Sequence, residues 1–222
     1  LVVLWVQDGD LSAWDSATSS IRTLAEGDVI PAGLTLSPDG TQLAFARATS
    51  ETESLWVAAT DGNTPPQQIA ADLLVGWRGW ADANTLYYGT LDVSNLGARP
   101  GGELFRADVA AGTVTAIDLP VDLDSAQPTL SPDGTRLLLV DPGTYGERDG
   151  TIYATSAVDP VAWEEVFRFP AVASGSHTPH FPHVHWLDAD TVQTVIHPAD
   201  ALYNAFAADA SPAVVWQVSL SD

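Results

Sequence analysis

An aliphatic residue followed by an aromatic residue recurs at nearly constant spacing along this chain. The copies are Leu55-Trp56, Leu104-Phe105, Ile152-Tyr153 and Leu202-Tyr203, and their aliphatic members are 104−55=49, 152−104=48 and 202−152=50 residues apart. A weaker copy, Leu11-Ser12, lies 44 residues before Leu55. A period near 50 built from short strands and turns is typical of a propeller with four-stranded blades. We therefore predict an all-β fold, a β-propeller of four-stranded antiparallel blades.

Two copies of one turn motif support this prediction. Residues 36–41 and 130–135 both read Leu-Ser-Pro-Asp-Gly-Thr. Proline presets φ at its position, and glycine accepts the left-handed conformation that closes a hairpin. Each copy leads into an apolar run, Leu43–Ala46 and Leu137–Val140. A strand that is apolar at successive positions is buried on both faces, as the middle of a blade between two neighbours would be.

Shorter versions of the turn at 80–86 and 186–192 complete the repeat. They divide the chain into about five blades of a single propeller domain or propeller fragment, and the first blade is incomplete. Since the sequence begins within a blade, we expect these blades to be part of a ring of six to eight. The predicted blade ranges are 1–30, 31–72, 73–120, 121–170 and 171–222.

The turn motif, the apolar strand and the following Leu55-Trp56-Val57 or Ile152-Tyr153-Ala154 resemble TolB-type propeller repeats. Similar repeats occur in the propeller domains of prolyl-oligopeptidase and dipeptidyl-peptidase relatives. The segment Leu11–Asp15 also looks like a WD-repeat strand, but the Gly-His dipeptide of that family does not accompany it. The resemblance to TolB implies a bacterial extracytoplasmic protein that acts in binding or scaffolding. The motif residues shape turns, so the resemblance assigns no functional residue.

The composition limits the classes of partner. The 222 residues contain 29 acidic residues against eight arginines and no lysine, which gives a net charge of −21. Such a charge repels nucleic acid and anionic lipid, so we expect neither as a partner. No stretch is long and apolar enough for an integral membrane segment. The sequence has no cysteine and therefore no thiol chemistry.

All five histidines fall between His177 and His197, and four of them belong to one predicted loop and strand. His183 and His185 are two residues apart on the predicted innermost strand of blade five, so both should point to one face. Equivalent loops of neighbouring blades lie side by side, which would bring Asp124 close to His180. We predict a candidate zinc or similar transition-metal site formed by His180, His183, His185 and Asp124. Simple hydrogen bonding within a proline-stiffened loop is the alternative, and no other cofactor is expected.

The rim loops carry the remaining candidate binding residues, and no catalytic residue is predicted. Asp118, Asp122 and Asp124 line one such loop, and His177 and His180 line its equivalent in the next blade. Five other aspartates precede glycine, where turn formation explains them: Asp8, Asp39, Asp61, Asp133 and Asp149. The sequence contains no Gly-x-Ser-x-Gly nucleophile motif.

These observations favour a non-catalytic propeller that binds a protein or peptide partner, or that contacts the rest of a larger chain or assembly. The expected setting is the bacterial cell envelope or the extracellular space. The alternative is the substrate-gating propeller of a serine peptidase whose catalytic domain lies outside this sequence. High acidity without lysine also fits a salt-adapted organism, in which case the charge reports habitat and not partner.

Overall fold

The computed structural model describes most of the chain in two compact units, Leu1–Ile117 and Asp118–Asp222. The described residues are 2–48, 52–73, 75–90, 102–121, 127–141, 149–169, 183–196 and 214–220. Within these ranges the regular structure is entirely β.

The first unit contains three antiparallel sheets of consecutive strands. Sheet 1 holds β1–β3, sheet 2 holds β4–β7 and sheet 3 holds β8–β11. The strands are β1 Val2–Gln7, β2 Asp10–Asp15, β3 Ser20–Ala25, β4 Val29–Leu36, β5 Gln42–Ala48, β6 Glu53–Ala59, β7 Gln67–Leu73, β8 Val75–Trp80, β9 Thr85–Thr90, β10 Leu104–Asp108 and β11 Thr113–Ile117.

The second unit repeats the pattern with sheet 4, which holds β12–β15, and sheet 5, which holds β16–β18. Its strands are β12 Gln127–Leu130, β13 Arg136–Asp141, β14 Gly150–Ser156, β15 Glu164–Phe169, β16 His183–Trp186, β17 Thr191–Ile196 and β18 Val214–Ser219. Sheets 2, 3 and 4 are therefore four-stranded antiparallel meanders, as predicted for blades.

The second strand of each four-stranded sheet is rich in buried residues. In β5 the four residues Leu43–Ala46 are at most 1% exposed, and in β13 the residues Leu137–Val140 are at most 3% exposed. The apolar runs after the turn motif thus form the middle strands that the sequence predicts. Burial of a large apolar side chain contributes about 1.5–3 kcal/mol, so these strands supply much of the stability of each sheet.

Neighbouring sheets within each unit pack face to face. In the first unit Leu11 and Leu24 of sheet 1 pack with Phe45 of sheet 2. On the other face of sheet 2, Leu55 packs with Tyr88 of sheet 3. In the second unit, sheets 4 and 5 share one core cluster, which includes Leu138 and Val192. Side chains of the middle strand of sheet 2 therefore alternate between two neighbouring interfaces.

One backbone hydrogen bond recurs in sheets 2 to 5. The first residue after the third strand donates its N–H to a carbonyl of the turn between the first and second strands. The pairs are Thr60 to Thr41 (2.9 Å), Val109 to Asn84 (2.8 Å), Ala157 to Thr135 (2.8 Å) and Leu220 to Asp190 (2.7 Å). This bond identifies β18 as the third strand of sheet 5.

The period predicts the wrong aromatic residue for the third strand of sheet 5. Strand register places Trp56 opposite Phe45, Phe105 opposite Tyr88 and Tyr153 opposite Leu139. The equivalent residue of sheet 5 is Trp216, which lies opposite Thr194 and follows Val215. The predicted pair, Leu202-Tyr203, lies outside the described residues and precedes the third strand. The period shifted because 214−196−1=17 residues connect β17 to β18, whereas 53−48−1=4 connect β5 to β6.

Candidate functional site

The aspartate of the turn motif accepts hydrogen bonds from other residues of the same turn. In the first copy the Ser37 hydroxyl donates to Asp39 Oδ1 (2.7 Å), and the Thr41 N–H (3.1 Å) and hydroxyl (2.9 Å) donate to the same atom. The Gln42 N–H donates to Ser37 Oγ at 2.9 Å. The donors to Asp39, led by the Ser37 hydroxyl, hold the pKa of its carboxyl below the ordinary value. Gly40 closes the turn with φ of +72°.

The second copy has the same hydrogen bonds. Ser131 donates to Asp133 Oδ1 (2.7 Å), and the Thr135 N–H donates to it at 3.1 Å. The Ser131 hydroxyl and then the Thr135 N–H lower the pKa of the Asp133 carboxyl. Asp82 and Asp188 act similarly in the shorter turns by accepting a backbone N–H two residues later, at 2.7 Å and 2.9 Å respectively. The turn aspartates therefore have a structural role.

Of the predicted rim-loop residues, the structure describes only Asp118. It is exposed, and its backbone carbonyl accepts a hydrogen bond from the Trp163 indole at 2.9 Å. The other candidates, Asp122, Asp124, His177 and His180, lie outside the described residues. Their grouping around a binding surface remains a prediction.

The predicted metal site is described only in part. His183 and His185 both belong to β16, where the strand register places them opposite Val195 and Gln193 respectively. His185 is exposed, and the side chain of His183 lies outside the described set. Among the described residues no group of three or more potential ligands is close enough to hold a metal ion. Since His180 and Asp124 are not among them, the site remains a prediction.

An open groove of about 560 Å³ lies between sheets 1 and 2 of the first unit. Sheet 1 contributes the end of β3, and sheet 2 contributes the end of β5 and the connection between β6 and β7. The lining residues are Thr23, Leu24, Ala25, Glu26, Arg47, Gly62, Asn63, Thr64, Pro65 and Pro66. The groove combines a cation, a carboxylate, hydroxyl and amide groups and an apolar proline pair.

Arg47 is the basic residue of this groove. Its guanidinium carbon lies 4.4 Å from the centroid of the Trp56 ring and 5.7 Å from that of Phe45. The Trp56 indole N–H donates to Ser54 Oγ at 2.8 Å, which fixes the ring. Within the described part of the chain, the buried Arg47 Nε has no hydrogen-bond partner. Stacking on an aromatic face orients a guanidinium while its N–H groups stay available for another acceptor.

A second groove of about 420 Å³ lies in the second unit along sheet 4. It is lined by Thr135, Arg136, Ala154, Thr155, Ser156, Ala162 and Glu164. The arginine here is already paired, because an Arg136 guanidinium nitrogen lies 3.2 Å from Asp190 Oδ1 of sheet 5. This groove therefore offers less unsatisfied charge than the groove at Arg47.

Sequence reasoning missed the Arg47 groove. Arg47 follows directly after the buried run Leu43–Ala46 in a chain with few basic residues, and this is the feature that could have drawn attention to it. Glu26 and Asn63 come from segments that are distant in sequence and show no motif. Only the packing of sheet 1 on sheet 2 brings the three side chains to one groove.

The described residues contain no helix that could cross a membrane. Neither a protein-family model nor a curated protein matches the sequence.

Solved structures do match. The β-propeller domain of the Trilobed protease from Pyrococcus furiosus is 12% identical over 96% of this chain and 60% of that one, with a TM-score of 0.60. A putative TolB from Agrobacterium tumefaciens is 16% identical over 99% of this chain and 73% of its own, with a TM-score of 0.53. The Pyrococcus horikoshii acylaminoacyl peptidase is 13% identical over 85% of this chain, which spans 31% of the peptidase, with a TM-score of 0.59.

At these identities the likeness establishes the fold alone. It confirms the predicted fold class, since the blade-like sheets align with those of proteins described as propellers. The chain has an all-β propeller fold of antiparallel blades, similar to TolB proteins and to the propeller domains of peptidases related to prolyl oligopeptidase.

Proposed function

We propose that this chain is a propeller domain that binds a protein or peptide partner and does not itself catalyse a reaction. The observation that carries the proposal is the open groove between sheets 1 and 2, with the Arg47 guanidinium stacked on Trp56. Its volume of about 560 Å³ lies within the usual range of ligand sites. A groove with a positioned cation and a proline pair suits an extended peptide.

The state of the turn aspartates supports binding over catalysis. A carboxylate that acts as a general acid or base needs a pKa near the working pH and access to a substrate. Asp39 and Asp133 instead have lowered pKa values, and their oxygens accept hydrogen bonds from their own turns. The net charge of −21 makes nucleic acid and anionic lipid poor partners, which leaves proteins and peptides as the favoured class.

We further propose a bacterial cell-envelope or extracellular setting, as the resemblance to TolB-type repeats implies. The absence of cysteine is compatible with an oxidising compartment. Fractionation of cells that produce the protein from its full reading frame tests this proposal. Recovery from the periplasm, cell surface or medium would support it, and recovery with cytoplasmic markers would contradict it.

Panning a random peptide library on the immobilised chain tests the binding proposal. We expect enrichment of a limited set of peptides that compete with one another, because one groove binds them. Enrichment no better than on a surface coated with heat-unfolded protein would reject the proposal.

The second candidate is the gating propeller of a serine peptidase. It is favoured by the similarity to the acylaminoacyl peptidase and to a dipeptidyl peptidase 4 from Porphyromonas gingivalis, which is 14% identical over 90% of this chain and 35% of its own, with a TM-score of 0.59. A fluorophosphonate probe that labels the active serine of such enzymes would separate the two functions. Labelling of the full-length product would favour the peptidase, and a product that remains unlabelled while it binds library peptides would favour the binding role.

The rim residues and the metal site add a further proposal. We propose that Asp118, Asp122, Asp124, His177 and His180 form a second contact surface and that His180, His183, His185 and Asp124 take up zinc or a similar ion. Calorimetric titration with zinc near neutral pH should show uptake that is lost in a His183→Ala, His185→Ala double variant and kept in His197→Ala. Titration of the unaltered protein without heat of binding would reject the metal site.

A further inference from the structure

We propose that Arg47 is the centre of a carboxylate-binding site in the groove between sheets 1 and 2. The ligand group is a peptide carboxylate, from either an acidic side chain or a free C-terminus. This inference rests on the proposed peptide-binding function and adds the chemical group that the groove selects.

The Arg47 guanidinium is held in place by an aromatic ring and is not hydrogen-bonded through Nε within the described residues. It lies 4.4 Å from the centroid of the Trp56 ring and belongs to a residue that lines an open groove. Its Nε is buried and lacks a hydrogen-bond partner among the described residues. A buried N–H donor without an acceptor is costly. Movement of the side chains that cover Nε would let a carboxylate in the groove accept a hydrogen bond from it, and binding would then relieve this cost. An arginine is suited to this because its planar fork can donate two parallel hydrogen bonds to one carboxylate.

Most of the other arginines that the structure describes differ from Arg47 in having an acceptor. In a chain of net charge −21 a guanidinium readily finds an acceptor. Four of the six arginines that the structure describes have an acceptor within the fold: Arg22 donates to the Thr60 carbonyl, Arg78 to the Gly33 carbonyl, Arg136 pairs with Asp190, and Arg168 pairs with Glu165. Arg106 Nε is also buried without a partner, but Arg106 lines neither of the two grooves. Arg47 is instead held by aromatic rings, which position a cation without using its N–H donors.

The remaining groove residues favour a peptide as the carrier of the carboxylate. Thr23, Asn63 and Thr64 provide hydroxyl and amide groups that can bond to a peptide backbone. Pro65 and Pro66 provide an apolar wall with little conformational freedom to lose on binding. These residues suit a short extended segment better than a bare anion.

Glu26 lines the same groove and limits which acidic peptides are suitable. A second carboxylate near Glu26 would be repelled, whereas a neighbouring lysine or a free amine would be attracted. The site therefore favours a single carboxylate with a neutral or basic neighbour over a run of acidic residues.

The test uses capped tripeptides added at millimolar concentration to the whole chain, observed by NMR. Acetyl-Ala-Ala-Ala with a free C-terminus and acetyl-Ala-Asp-Ala-amide carry one carboxylate each, from the two sources. Acetyl-Ala-Ala-Ala-amide and acetyl-Ala-Asn-Ala-amide are their neutral counterparts. The observed signals are the Arg47 Nε–H and the Trp56 indole N–H.

We expect saturable shifts of both signals with at least one carboxylate peptide, and the stronger of the two identifies the source. Each neutral counterpart should bind about tenfold or more weakly, because a charge-assisted pair of hydrogen bonds is lost. Arg47→Gln should weaken carboxylate binding by about the same factor. Arg47→Lys keeps the charge but not the two parallel N–H donors, so it should bind the carboxylate peptides with intermediate strength. If Arg47→Gln does not fold, the comparison of Arg47→Lys with the unaltered protein tests the site instead.

Arg136→Gln is the matched control, because it removes the same charge from an arginine that is already paired with Asp190. It should leave peptide binding within about twofold of the unaltered protein. Equal binding of neutral and acidic tripeptides, equal weakening by Arg136→Gln, or no shift of either signal would overturn the carboxylate site. Library peptides that still bind when Arg47 is replaced would reject this inference while leaving the proposed function in place.

Discussion

The guanidinium of Arg78 occupies the space that a side chain at Gly33 would need. Arg78 in β8 of sheet 3 donates through Nε to the Gly33 carbonyl and through Nη2 to the Ala32 carbonyl at 2.8 Å, in β4 of sheet 2. Gly33 has φ of +78°, and a Cβ at this position would collide with Arg78 Nη2. Burial lowers the pKa of Arg78 below its ordinary value, and the nearby Glu53 carboxylate partly opposes this shift. The Arg78 side chain therefore joins β4, the first strand of sheet 2, to β8, the first strand of sheet 3.

Gly33→Ala should destabilise the protein by about 1.5–3.5 kcal/mol, from left-handed strain of about 1–2 kcal/mol and loss of exposed hydrogen bonds worth about 0.5–1.5 kcal/mol, since the flexible Arg78 side chain can move aside. Urea unfolding followed by circular dichroism measures the change. In an Arg78→Ala background the same substitution should cost only the strain. Equal costs in the two backgrounds would show that the residues are not coupled.

Gly40→Ala should destabilise the protein by about 1–2 kcal/mol through backbone strain alone. Gly40 has φ of +72°, and a Cβ added to it would meet nothing within 4 Å, so added bulk is not the cause. Gly89→Ala is the control, since its Cβ would also meet open space and its φ lies outside the left-handed region. Thermal unfolding should separate the two variants. Equal melting temperatures would contradict the turn conformation.

The lowered pKa of Asp39 predicts a loss of stability in acid. The ionised carboxyl is favoured in the folded state, so its contribution is complete above the unfolded pKa of about 3.9 and is lost as pH falls through the lower folded value. Asp39→Asn should therefore lower the melting temperature at neutral pH and reduce its fall between about pH 4 and 2. A variant whose melting temperature falls as steeply as that of the unaltered protein would argue against this role.

Trp216 should stabilise the contact between sheets 4 and 5. Its ring centroid lies 5.3 Å from that of Phe167, although the residue is 41% exposed. Trp216→Ala should cost about 1–2 kcal/mol, and a double-mutant cycle with Phe167→Ala should give a coupling of about 0.5–1.5 kcal/mol. Val158, which is 73% exposed, provides the comparison, because Val158→Ala should add to Trp216→Ala without coupling. Additive effects of Trp216 and Phe167 would contradict the contact.

The sequence predicts the blades because their determinants are local. The turn at 36–41 and the run Leu43–Ala46 are adjacent, so one short segment specifies both the hairpin and the buried strand. The repeat spacing did not predict the position of Trp216, because the spacing depends on the length of the connection before β18. The residues of β18 themselves do not determine that length. The determinants of the Arg47 groove are not local. The groove is assembled from three segments that only tertiary packing brings together, so the sequence did not predict it.

Sheets 2 to 5 repeat one register, in which the N–H of the residue after the third strand donates to a carbonyl of the turn between the first and second strands. NMR couplings across hydrogen bonds measure this directly. We expect couplings from the N–H of Thr60, Val109, Ala157 and Leu220 to the carbonyls of Thr41, Asn84, Thr135 and Asp190 respectively. If the Leu220–Asp190 coupling were absent and Thr194 paired with Tyr203 in place of Trp216, sheet 5 would not share this register.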